Sequence, residues 1–140
     1  MKEKQNRAFV IGKARMFCEG SAHPGPTHNV AFPNLSRCSD DSLLVVHRVG
    51  AQKNSSVGEL WLWRSRDDGE SWARVPFSSK NPAGIHADFR PSTISDIGRG
   101  QIAMLLTWID HPDDSPLLVN PKTEGLLPVH IGWMTSTDHG

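Results

Sequence analysis

Ser65-Arg66-Asp67-Asp68-Gly69-Glu70-Ser71-Trp72 decides the fold. The stretch has the pattern Ser-x-Asp-x-Gly-x-Ser-Trp and lies between two short runs with β propensity, residues 59–64 and 73–77. Its residue types suit a tight hairpin. Gly69 tolerates a positive φ. Asp67 and the flanking Ser65 and Ser71 hydroxyls can hold the turn amides by hydrogen bonds, without a bound ion. Trp72 can bury a large apolar area between neighbouring sheets. Read this way, Asp67 has a structural job, not an acid's or a metal ligand's. The same opening returns as Ser136-Thr137-Asp138-His139-Gly140.

Working outward from the turn, the strands fall into two similar series. In the first, residues 29–35 are short and apolar, with Pro33 marking a strand end or edge. Ser39 to Ser42 form a turn, residues 43–49 read as a buried strand, and residues 59–64 lead into the motif. In the second, residues 88–95 carry Phe89-Arg90-Pro91, residues 96–100 turn, residues 101–108 read as another buried strand, and residues 129–135 lead into Ser136. Pro33 and Pro91 lie 58 residues apart and Ser65 and Ser136 lie 71 apart, so the difference falls in the polar loop after Trp108. Units that agree in strands and vary in loops are stacked repeats. The expectation is all-β, in four-stranded antiparallel units: an N-terminal strand and loop over 1–28, a complete unit over 29–80, and a second over 85–140 that stops inside its turn. No stretch has apolar residues at helical spacing behind an N-cap.

Composition narrows the function. The 15 Lys and Arg balance the 15 Asp and Glu, which gives no electrostatic reason to expect nucleic acid or an anionic membrane surface as partner. The 37% hydrophobic content, with five Trp, supports a packed core. The 22 Gly and Pro residues suit short strands and tight turns. No apolar run reaches the roughly 20 residues of a membrane helix, and residues 8–12 are too short for a signal-peptide core. Either the chain is cytoplasmic, the default reading, or its start is not the natural start; Cys18 and Cys38 are expected as free thiols, although they could pair if adjacent strands brought them together.

At Ser65-x-Asp67-x-Gly69-x-Ser71-Trp72 the chain resembles the Asp-box, or BNR repeat, of the sialidase (neuraminidase) superfamily. Phe32-Pro33-Asn34-Leu35 and Leu43-Leu44-Val45-Val46-His47-Arg48 look like the first two strands of one of its blades. The resemblance covers residues 29–140 and implies a partial six-bladed β-propeller, with the remaining blades as its packing partners. It implies an exo-acting glycoside hydrolase that takes a terminal sialic acid or related acidic sugar and needs no cofactor. Two other readings stay open: a non-catalytic Asp-box propeller that binds glycans or proteins, and a related propeller hydrolase for another sugar.

Sialidases hold the substrate carboxylate with arginines, suited to bidentate contact, and use a Tyr–Glu nucleophile with an Asp as acid/base. Arg48, closing the second strand of the first unit, and Arg90, in Phe89-Arg90-Pro91, are the candidate substrate-binding residues. Ala31 stands where the family's first arginine would be. Asp110, beside Asp113 and Asp114, is the candidate acid/base. The sequence contains no Tyr, so the nucleophile is expected elsewhere or absent, and the chain alone is expected to be inactive. The seven histidines have no metal-ligand spacing on a shared element; His111 beside Asp110 is a weak pair at most. Gly98-Arg99-Gly100 is a turn and not a phosphate loop, because no helix follows it.

Overall fold

The computed structural model describes residues 29–113 and 118–140, with Ser92 described by its backbone alone. The expected strand within residues 7–17, the loop over 19–28, Cys18, His23, His28 and Asp114 lie outside the described residues. Among those described the chain is all-β. No helix forms, and hence none is long and apolar enough to cross a membrane.

Seven strands make one curled, mixed sheet that closes halfway to a barrel. β1 (Asn29–Arg37), β2 (Leu43–Gly50), β3 (Gly58–Ser65) and β4 (Ala73–Val75) form an antiparallel unit in chain order. β5 (Ala87–Gly98), β6 (Gln101–Asp110) and β7 (Val129–Ser136) form a second. One parallel bridge, Gly58 to Asp88, joins the two. β1 and β5 also meet through side chains. The Ile94 amide donates to Asn34 Oδ1 at 3.0 Å, and the Asp96 amide donates to Ser36 Oγ at 3.3 Å.

The two middle strands differ in a way their sequences explain. β2 reads Leu-Leu-Val-Val-His-Arg-Val-Gly and is buried on both faces from Leu44 onward. A continuous run of branched residues is the pattern of a strand covered on both sides. β6 alternates, burying Ile102, Met104 and Leu106 while Leu105 stays exposed. The core forms where the first unit presents Leu44, Val46, Leu60 and Leu62 to Phe89, Ile94, Ile102, Met104 and Leu106 of the second. Each such side chain contributes about 1.5–3 kcal/mol when fully withdrawn from water. Cys38, at the end of this core, is buried and unoxidised, and burial pushes its thiol pKa up.

The first strand of each unit carries a bulge beside its proline, between Ala31 and Asn34 in β1 and between Pro91 and Thr93 in β5. The bulges fall at equivalent rungs, since Ala31 faces Arg48 and Arg90 faces Thr107 just before them. Leu35 faces Val45 and Ile94 faces Met104, so the strands repeat at 59 residues although the prolines repeat at 58.

Candidate functional site

The β3–β4 hairpin is built by one serine and one aspartate. Ser65 Oγ accepts from the Gly69 amide at 2.8 Å and donates to Asp67 Oδ1 at 2.8 Å. Asp67 in turn accepts from the Ser71 amide at 2.9 Å and from Ser71 Oγ at 2.5 Å. Asp68 and Gly69 take φ values of 58° and 89°, the left-handed region that glycine enters without steric cost. Trp72 Nε1 donates to the Gly69 carbonyl at 3.2 Å, which folds the ring back against the turn. The Ser71 and Ser65 donors hold the Asp67 carboxyl down to about 2. An acid so fully ionised and hydrogen-bonded braces a turn; it does not deliver protons.

The second turn repeats this chemistry. Ser136 Oγ donates to Asp138 and accepts from the Gly140 amide at 2.8 Å, while His139 and Gly140 take φ values of 66° and 95°. Arg64 of β3 grips it from the other unit by donating to the carbonyls of His139 and Gly140.

A denser group of charges lies where β2, β3 and β5 meet. Arg48 is 0% exposed, the largest fully buried side chain among the described residues. Its Nε donates to Asp88 Oδ1 at 2.5 Å, its Nη1 to the Gln52 carbonyl at 2.8 Å and its Nη2 to Ser55 Oγ at 2.7 Å. Asp88 is equally buried. Its second oxygen accepts from Arg90 Nη2 at 2.7 Å and Nε at 3.0 Å. A buried charge is tolerated only when paired and hydrogen-bonded, and here one carboxylate serves two guanidinium groups.

The backbone makes room for them. Gly50 and Gly58 face each other across β2 and β3. A Cβ on Gly58 would stand 1.9 Å from Asp88 Oδ1, and one on Gly50 would stand 2.7 Å from Arg48 Nη2. Glycine is required at both by close approach.

Arg48 and Arg90 occupy the same rung of the two units. Arg48 on β2 faces Ala31 on β1, and Arg90 on β5 faces Thr107 on β6. Each unit thus keeps one arginine at that level, on opposite partners of the pair. They differ in access. Arg48 has no surface, whereas the Arg90 side chain is 21% exposed. Arg90 Nη2 also donates to Asn54 Oδ1 at 3.1 Å, and the guanidinium lies 5.4 Å above the Phe32 ring. Phe32 sits in the β1 bulge with φ 55°, a conformation that costs a bulky residue about 1–2 kcal/mol. Non-glycine residues held there concentrate at functional sites. The Nη1 donors of Arg90 have no hydrogen-bond partner among the described residues.

Asp110 is not brought to the arginines. It faces Ala87 across the β5–β6 ladder, whereas Arg90 faces Thr107. Side chains alternate along a strand, so the two project from opposite faces of the sheet. Asp110 Oδ1 accepts from Asn81 Nδ2 at 2.8 Å, and Oδ2 lies 2.8 Å from His130 Nε2. The His130 ring stacks on Trp108 at 5.0 Å. Asp88, the centre of the cluster, was not singled out from the sequence; its signal is Asp-Phe-Arg at the start of β5, a carboxylate and an arginine two residues apart and hence on one face of the strand. Among the described residues no three His, Cys, Asp or Glu side chains converge as a metal site. No protein-family model matches the chain, and no curated protein matches it.

Proposed function

We propose that the chain forms two blades of a sialidase-like, six-bladed Asp-box propeller whose central site hydrolyses a terminal sialic acid or related acidic sugar. Arg90 is the residue that meets the sugar carboxylate. The observation that carries this reading is its preorganisation. Asp88 and Asn54 fix the guanidinium, Phe32 lies beneath it, and the Nη1 donors are left over. A guanidinium fixed in this way can donate its Nη1 hydrogens to a carboxylate without first losing rotamer entropy. Arg48 acts as a positioning residue, since it neutralises the Asp88 charge from the buried side.

A second reading, a propeller that binds acidic glycans without cleaving them, is favoured by one observation. Asp110, the candidate acid/base, projects from the face opposite Arg90 and is held by Asn81 and His130. Two measurements separate the readings. Titration of the full chain with N-acetylneuraminic acid, followed by the arginine side-chain NMR signals, is expected to shift Arg90 and to lose the response in Arg90→Ala. A fluorogenic sialoside assay on the protein containing all its blades then decides turnover. Binding without turnover selects the binding module, and an Arg90→Ala variant that binds as well as the parent removes Arg90 from the site.

A further inference from the structure

His47 precedes the buried Arg48 on β2 and is itself 3% exposed. Both of its ring nitrogens are engaged. Trp63 Nε1 donates to His47 Nε2 at 2.9 Å, and His47 Nδ1 lies 3.2 Å from the Arg48 carbonyl. An indole nitrogen only donates and a carbonyl only accepts. Nε2 is therefore the bare nitrogen and Nδ1 carries the proton, so the two partners fix both the tautomer and the neutral state. The rings are inclined by 14° with centroids 6.5 Å apart, which suits an edge-to-edge N–H···N bond. A second proton breaks that bond, since it sets one N–H against another. It also adds charge near two guanidinium groups. One is Arg48 on β2; the other is Arg74 on β4, which lies 3.5 Å over the ring of Trp61, the residue facing His47. β3 brings one carboxylate to this face, Glu59, which accepts from Trp61 Nε1 at 3.2 Å. β1 brings no charge to this level, because the residues opposite His47 are Phe32 and Pro33 of the bulge.

We infer that His47 is a positioning residue for the sugar site, and that its protonation loosens Arg90. The path has two arms. His47 holds the Arg48 carbonyl, Arg48 holds Asp88, and Asp88 holds Arg90. On the other side, the bulge opposite His47 carries the Phe32 ring that lies beneath Arg90. The neutral imidazole braces both arms at higher pH. As pH falls, the imidazolium and Trp63 part, β2 loses its brace at that rung, and Arg90 loses its preset orientation. The effect on sugar binding rests on the reading of Arg90 as the carboxylate contact, whereas the tautomer and the brace do not.

On the full chain, imidazole nitrogen NMR shifts should show a protonated Nδ1 and a bare Nε2. As pH falls from about 8 to about 5, the Trp63 indole signal and the Arg90 side-chain signals should move in one step with the His47 signals. Affinity for N-acetylneuraminic acid should fall about three- to tenfold over that step, the range for one lost hydrogen bond. His47→Gln keeps the two bonds, an amide oxygen for Trp63 and an amide N–H for the Arg48 carbonyl, but takes up no proton. It should bind the sugar like the parent at the higher pH and hold that affinity at the lower one, while His47→Leu should bind weakly at both. A protonated Nε2 at the higher pH overturns the inference. So does a His47→Gln variant whose affinity falls with pH as steeply as the parent's. If the sugar binds at no pH, the sugar-site reading falls, and the sugar-free signals still decide: Arg90 signals that stay fixed while His47 and Trp63 titrate overturn the positioning role.

Discussion

Replacing Asp88 with alanine tests whether charge balance holds the junction of β2, β3 and β5. Asp88 accepts from Arg48 on one oxygen and from Arg90 on the other, and both Asp88 and Arg48 are fully buried. Removing the carboxylate leaves the Arg48 guanidinium with only the Gln52 carbonyl and Ser55 Oγ, in a site with no water-exposed surface. Breaking a buried pair from one side costs about 3–5 kcal/mol, most of it the uncompensated charge left behind. For a chain of this length that lowers Tm by about 10 °C or more. Arg90→Ala should cost less, about 1–2 kcal/mol, because Asp88 keeps Arg48 and the Arg90 side chain is already partly hydrated. Arg48→Met should fall between them. Urea titration at low protein concentration, followed by tryptophan fluorescence, gives all three values. An Asp88→Ala variant within about 1 kcal/mol of the parent, or Arg90→Ala as the costliest of the three, would refute the account.

Gly58→Ala is expected to destabilise more than an ordinary strand Gly→Ala change, since the new methyl would stand 1.9 Å from Asp88 Oδ1; pairing it with Asp88→Ala should recover part of the loss in a double-mutant cycle. The Asp67 carboxyl, held at about 2 mainly by Ser71 and then Ser65, should titrate higher in Ser71→Ala, as read by carboxyl-carbon NMR. A carboxyl with a depressed folded-state pKa stabilises the fold above its unfolded pKa of about 3.9. That contribution is lost as pH falls toward 2, so Ser71→Ala should flatten the acid limb of the stability curve between those values.

Much of the strand order could be read from residue types. β2 and β6 are runs of Leu, Val, Ile and Met bounded by Asp- and Gly-containing turns, and the structure sets them at Leu43–Gly50 and Gln101–Asp110, within two residues of the sequence expectation. The Ser65–Trp72 hairpin was legible for the same reason: its geometry follows from contacts between near neighbours. Asp88 was not. Its pairing with Arg48 spans 40 residues and depends on a parallel bridge that no local pattern encodes. The burial of Arg48 was hidden too, because an arginine closing a strand ordinarily reaches solvent. The separation of Asp110 from Arg90 comes from parity: they stand three rungs apart, an odd number, on a ladder whose register had first to be known.

The facing glycines Gly50 and Gly58 bear on how this sequence can change over time. A side chain at Gly50 would meet the Arg48 guanidinium, and one at Gly58 would meet both Asp88 and Arg48, so the cost of changing either glycine is set by the ion pair. Ala at position 58 becomes sterically admissible only after Asp88 has shortened, and shortening Asp88 is tolerable only once Arg48 has lost its charge. Descendants of this chain are therefore expected either to carry all four residues or to have replaced them together, by a path that begins at Arg48. Positions 48, 50, 58 and 88 should drift as a block.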